Sequence, residues 1–469
     1  MINNIKKIWL AGREIFPIVE GGKGVAVSTG LTSGRFAAED CAGTFSAVMP
    51  DGYDENGKAV PVITPGKTRM ERHREMIRKS IENGLQNVEI AWRESKGKGR
   101  ILMNMLWGLG GSREILEGIL EKADGKVHGL CVGAGMPYQL GEIAAKFKVY
   151  YQPIVSSTRA FRALWSRGFE KSREWLGGVI YECPWRAGGH NGITSAEDPT
   201  IPQNQLPRLV ELRQFMNSVG LAAVPIIIAG GIWSLSEAHA YIDNPEIQPV
   251  AFQLGTRPLL AAESPVSELW RDALLNLKEG DVKLQKFSPT GFYSSAVNNE
   301  FVQNLMARKG REVAFFDEPA DGRVALDKSF HGLTGESRQF FVNASDLEKI
   351  NEWRAQGFVV AMPTPDSSFV FETEAMAKNI IAQQNACSGC LAACKFSGWN
   401  SFEPDKEMPR DPRSFCIKNT LVAAAHSKAD GKNLIFAGHL AYKFANDELF
   451  ANNSRPTIHE FIEQVKQGL

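Results

Sequence analysis

The chain lacks net charge. Its Lys plus Arg and its Asp plus Glu number 53 each, so no overall field draws in a polyanion, and nucleic acid is not expected as a partner. It also lacks a long apolar run. No stretch approaches the roughly 20 apolar residues of a spanning helix. The opening "MINNIKKIWLAGREIFPIVEGG" is interrupted by Arg13 and Glu14, which deprives it of a signal-peptide core. The expectation is a cytoplasmic protein with no membrane partner. Internal repeats and low-complexity tracts are missing, and histidine is scarce, at eight. Cysteine is sparse and odd in number, with Cys41, Cys131, Cys183, Cys387, Cys390, Cys394 and Cys416, a count that disfavours a disulfide framework.

What remains is an ordinary globular balance, 43% hydrophobic and 23% charged, over 469 residues, more than one core usually supports. Short apolar or β-branched runs recur at 15–19, 44–48, 100–106, 127–132, 148–155, 177–182, 224–229 and 249–254. Segments with helical spacing separate them, such as "MERHREMIRKSIENG", "SREILEGILEKADG" and "NQLPRLVELRQFMNSVG", each ending at or near a glycine. Alternating strand and helix predicts a parallel sheet. Eight units in this length predict an α/β fold, a closed (β/α)8 TIM barrel over residues 10–283. Residues 49–68 carry Gly, Pro and Asp too densely for a helix and predict an extended loop. Beyond the barrel, residues 284–430 are expected to form an appended, mainly helical lid, and 431–469 a segment packing back on the barrel.

Such barrels hold ligands at the C-terminal ends of their strands, and three of those ends are rich in glycine: "PIVEGGKGVAVS", "IIIAGGIW" and "QLGTRP". Gly230 and Gly231 after the seventh run, with Gly255 and Thr256 after the eighth, read as a phosphate cradle of backbone N–H groups, or as two tight turns that need glycine for geometry alone. Asn104 interrupts the apolar "LMNML", either to bond the edge of a ring or to satisfy a loop backbone. His190 follows Gly188 and Gly189 in "AGGHNG", where the glycines allow close approach to a flat ligand. An imidazole there suits a general base or a donor to a developing anion.

On these motifs, "PIVEGGKGVAVS", "AGGHN", "VPIIIAGGI" and "QLGTR", in order and at barrel spacing, the chain from about residue 14 to residue 466 resembles the nitronate monooxygenase family, once called 2-nitropropane dioxygenases. These are FMN-dependent barrels related to flavin-type enoyl-ACP reductases. The resemblance implies FMN as cofactor, with Gly22, Lys23 and Gly24 lining the ring, Asn104 near its pyrimidine edge, and Gly230, Gly231, Gly255 and Thr256 on the phosphate. It makes His190 the catalytic residue. It implies oxidation of alkyl nitronates or nitroalkanes with O2 to carbonyl compounds and nitrite. Lys23 departs from the methionine common in the family, and either sets a cation beside the ring or points to solvent with only its backbone engaged. "SPTGFYSSAVNNEFVQ" is similar to the family's post-barrel region without its expected arginine.

Cys387, Cys390, Cys394 and Cys416 follow a C-x2-C-x3-C pattern with a fourth cysteine beyond. They suit a structural zinc or an iron–sulfur cluster remote from the flavin, or pack a small lid as reduced thiols. The alternative activity is an NAD(P)H-dependent reductase of a quinone or enoyl thioester. The other expected partners are a small-molecule substrate and O2, and the sequence leaves a homo-oligomer open.

Overall fold

The computed structural model describes residues 5–331, 337–404, 406, 408–426 and 432–468. Eight parallel strands close a barrel: β1 (Ile18–Glu20), β2 (Ala42–Ser46), β3 (Arg100–Leu106), β4 (Gly129–Gly133), β5 (Tyr150–Val155), β6 (Val179–Glu182), β7 (Ile226–Ala229) and β8 (Val250–Leu254). Each pairs with its sequence neighbours, and β8 closes on β1 through Phe252–Ile18, Gln253–Val19 and Leu254–Glu20. All eight expected strands are present. The first is shorter than the run 15–19 because Pro17, which has no N–H to give a ladder, divides it. Ile15 ends a preceding hairpin, Ile8–Leu10 with Arg13–Ile15.

The strands are apolar throughout because both faces are covered. Val19, Leu102, Ile180, Ile227 and Ala251 point inward and pack with Leu10 and Ile15 of that hairpin. Their neighbours Ile101, Met103, Val179, Tyr181, Ile226 and Ile228 point outward to the helices. At the opposite end from the strand C-termini sits Arg213, 1% exposed. Its guanidinium donates to the carbonyls of Ile247, Val224 and Pro249 at 3.0–3.1 Å, tying down the loops that lead into β7 and β8.

The helix expected to stop at Gly84 runs from Arg69 to Ser95. Gly84 is there for close packing, since a Cβ would lie 2.4 Å from Ile119 Cδ1. Residues 49–68 contain only the short pair Gly52–Tyr53 and Ala59–Val60. The segment 284–430, of which 332–336, 405, 407 and 427–430 lie outside the described residues, is mixed rather than mainly helical. Strands Glu312–Ala314, Ser368–Glu372 and Val360–Pro363 form an antiparallel sheet over a separate aromatic core that includes Phe330, Phe340, Phe369 and Phe371. These strands are three to five residues long, too short for their alternation to stand out between turns. Among the described residues no helix is long and apolar enough to cross a membrane.

Candidate active site

The C-terminal strand ends enclose a cavity of about 240 Å³, and every sequence-predicted barrel residue lines it: Gly22, Lys23 and Gly24 after β1, Asn104 in β3, Gly188, Gly189 and His190 after β6, Gly230 and Gly231 after β7, and Gly255 and Thr256 after β8. Their individual reasons differ. Gly230 has φ +83°, and a Cβ there would lie 2.7 Å from Ala187 N, so it is required by its turn. Gly255 is another matter: a Cβ would meet nothing within 4 Å. Its missing side chain leaves open cavity beside the Thr256 hydroxyl, which accepts from Gly438 N–H at 2.9 Å.

Gly188 leaves room for protein. A Cβ there would come within 2.6 Å of the Ala437 backbone, because residues 434–438 return across the barrel mouth. Val297 N–H donates to Ile435 O at 2.9 Å and His439 N–H to Arg186 O at 3.2 Å. Phe436, Ala437 and Gly438 thereby become cavity wall. The sequence signals the return of this segment to the barrel, and not which of its residues reach the cavity.

His190 sits in a short strand, Gly189–Asn191, paired with Tyr293–Val297. Its Nε2 is 2.8 Å from Ser288 Oγ, which is in turn 2.8 Å from Thr290 Oγ1. Its ring meets Phe436 edge-on at 5.3 Å. Burial pulls its pKa down to about 4, so the ring is neutral at physiological pH. Ser288 lies in the "SPTGFY" stretch, the one sequence signal for it. Glu182, the last residue of β6, also lines the cavity, and burial pushes its carboxyl up to about 8. A lone acid closing an apolar strand was its signal.

Of the two readings of Lys23, the solvent-facing one gives way. Its ammonium donates to Gly21 O at 2.6 Å and faces the buried Glu20 carboxylate at 3.4 Å, so it turns beneath its loop. Glu20 in turn accepts from Thr32 Oγ1 and Thr44 N–H. Asn104 donates to Cys131 O at 3.1 Å, and its Oδ1 is 3.3 Å from Ser46 Oγ. These bonds satisfy it within the barrel while it still faces the cavity. The cysteine loop is not remote: Cys390 and Leu391 line the same cavity.

A larger groove of about 1080 Å³ adjoins it and shares His190, Leu106 and Leu391 with the cavity. Trp107, Phe292 and Phe402 line its outer part.

A closed parallel barrel with a glycine-lined cavity at the C-terminal ends of its strands, faced by an imidazole, has the architecture of a barrel enzyme. The nitronate monooxygenase family model matches residues 62–373, and the chain belongs to that family, whose members are flavin-dependent oxidoreductases. A probable nitronate monooxygenase of Staphylococcus aureus (strain Newman) is 28% identical over 199 residues, 42% of this chain and 48% of the relative. The alignment thus spans about half the length of the curated relatives. The enoyl reductase domain of MlnA from the macrolactin biosynthesis cluster of Bacillus amyloliquefaciens has a similar fold, with a TM-score of 0.50 and 11% identity over 96% of this chain and 95% of its own. A nitroalkane oxidase from Streptomyces ansochromogenes aligns over 61% of this chain and 78% of its own, with 18% identity and a TM-score of 0.42.

The cavity fits the flavin that the family implies. Gly255 leaves vacant volume beside a hydroxyl for a phosphate. Val48, Met49, Leu106 and Ile154 give the apolar walls a flat ring requires, and Arg186 and Lys418 supply positive charge.

Proposed function

We propose that this chain is an FMN-dependent nitronate monooxygenase that converts alkyl nitronates or nitroalkanes and O2 to carbonyl compounds and nitrite. The observation that supports it best is the neutral, Ser288-bonded imidazole of His190 facing the glycine-lined cavity. Gly230, Gly231, Gly255 and Thr256 would hold the phosphate of FMN, and Gly22, Gly24 and Asn104 would border its ring. Bound there, FMN supplies the two-electron oxidation.

His190 accepts the α-proton of a nitroalkane, or donates a hydrogen bond to the nitro oxygens of a nitronate already formed. A neutral ring keeps one nitrogen lone pair free for the first task. Ser288 fixes the ring plane, and so decides which nitrogen faces the substrate. Phe436 shields the ring from water. Glu182, protonated at neutral pH, adds no negative charge to repel an anionic substrate.

The groove leading to His190 favours a second reading. It is larger than a small nitronate needs, and its apolar outer wall suits a nicotinamide cofactor or a long acyl chain, as an NAD(P)H-dependent reductase of a quinone or enoyl thioester would require. Anaerobic mixing tests the choice. Bleaching of the flavin by ethylnitronate but not by NADH or NADPH is expected, and the reverse pattern overturns the nitronate assignment.

A further inference from the structure

The fold gathers the four C-terminal cysteines more closely than their spacing requires. The loop carrying Cys387, Cys390 and Cys394 is stitched to the barrel mouth. Gly110 N–H donates to Cys390 O at 3.0 Å, and Ala392 N–H to Gly108 O at 2.8 Å. Arg72 and His73, from the long helix Arg69–Ser95, bond the carbonyls of Cys387 and Gly389. Cys416 arrives from a separate segment as the residue preceding helix Ile417–Ala425. Lys418, two residues after Cys416, donates to Ser388 Oγ at 3.1 Å, which joins the two cysteine segments, and none of the four is in a disulfide.

One of the sulfurs is met by a hydrogen-bond donor. Gly389 N–H reaches Cys387 Sγ at 3.3 Å. Lys418 lines the same cavity as Cys390 and brings a positive charge to it. A metal would hold the four as thiolates, the form that binds metals.

Spacing selects between metals. Tetrahedral zinc with Zn–S near 2.3 Å would draw the sulfurs to about 3.8 Å from one another. Among the described residues no three cysteine sulfurs gather within 4.8 Å. A cluster that interposes iron and sulfide ions between its cysteines takes a wider set.

We propose that Cys387, Cys390, Cys394 and Cys416 ligate an iron–sulfur cluster in the wall of the barrel-mouth cavity. Cys390 places it beside the volume where His190 acts, so the cluster neighbours the reaction site instead of stapling a distant lid.

The test uses the full chain, purified anaerobically and incubated with ferrous iron, sulfide and dithiothreitol, then desalted and analysed for iron, zinc, acid-labile sulfide and extractable flavin. Iron and sulfide are expected in equal amounts, at about two to four per chain, with a visible absorbance and an electron paramagnetic resonance signal that respond to dithionite. Cys390→Ser and Cys416→Ser should each lower iron and sulfide at least about fivefold. Zinc without sulfide, four freely reacting thiols without iron, or undiminished iron in both variants would each overturn the proposal. Should the variants fail to fold, the wild-type iron and sulfide content decides alone. Flavin content is read separately: flavin without iron defeats only the cluster, and iron without flavin defeats only the FMN reading.

Discussion

His190 is where a single side chain carries the most consequence. Replacing it with Ala should reduce nitronate turnover by about 10²–10⁴-fold while flavin content is unchanged, as measured by steady-state kinetics and extraction. Ser288→Ala should cost about tenfold, because the ring stays but loses the bond that orients it. With its pKa pulled down to about 4, His190 stays proton-free down to roughly that pH, so the acid limb of kcat/KM should fall near pH 4 and not near 6.5. Glu182 acts in the opposite sense. Folded, it titrates at about 8 against an ordinary 4.5, so between those values the folded chain holds a proton that the unfolded chain has released. Stability from this group is complete below about pH 4.5 and is lost as pH rises through 8. Glu182→Gln should flatten the decline of Tm over that window, measured by thermal melts.

The two glycine pairs can be told apart in the same way. Gly255→Ala adds a methyl to open space and should weaken FMN binding roughly tenfold or more with little change in Tm. Gly230→Ala forces φ +83° on a side chain with backbone 2.7 Å away, and should lower stability by about 1–3 kcal/mol.

Among elements, the barrel strands were the most legible part of the sequence, because burial on both faces makes each of them a continuous apolar run bounded by turn residues. The strand-end glycines and His190 could be read for a related reason: polar or flexible residues following such runs have few structural explanations. Ser288 was marked only by its "SPTGFY" stretch, and Phe436 and Gly438 only by the segment expected to pack back on the barrel, because long-range pairing sets their places at the cavity. The partner of Lys23 was not legible, since Glu20 is three residues away on a strand and only the closed barrel reveals that its carboxylate is buried. Arg213 is similarly silent in sequence, a cation inside an apparently amphipathic helix. Arg213→Leu should leave several loop carbonyls unpaired and destabilise the barrel by about 3 kcal/mol, seen as a lower denaturation midpoint in urea.

At the scale of the whole molecule, segments distant in sequence are locked by a few buried contacts. Asp447 accepts from Arg257 Nε at 2.8 Å and from Trp233 Nε1 at 3.0 Å, clasping the residues after β7 and β8 to the returning segment. Asp447→Ala removes the carboxylate that pairs with a buried guanidinium and should destabilise the protein by about 3–5 kcal/mol, with flavin released at lower temperature in a fluorescence-monitored melt. Another contact of this kind joins Phe461 of the last helix to Phe36 at 6.2 Å.

The return of residues 434–438 across the mouth also imposes a timetable. All eight strands leave the ribosome before the stretch that completes the seat, so a nascent barrel has a gaping top. Any prosthetic group must dock after that late stretch swings into place, or be trapped beneath it as it does.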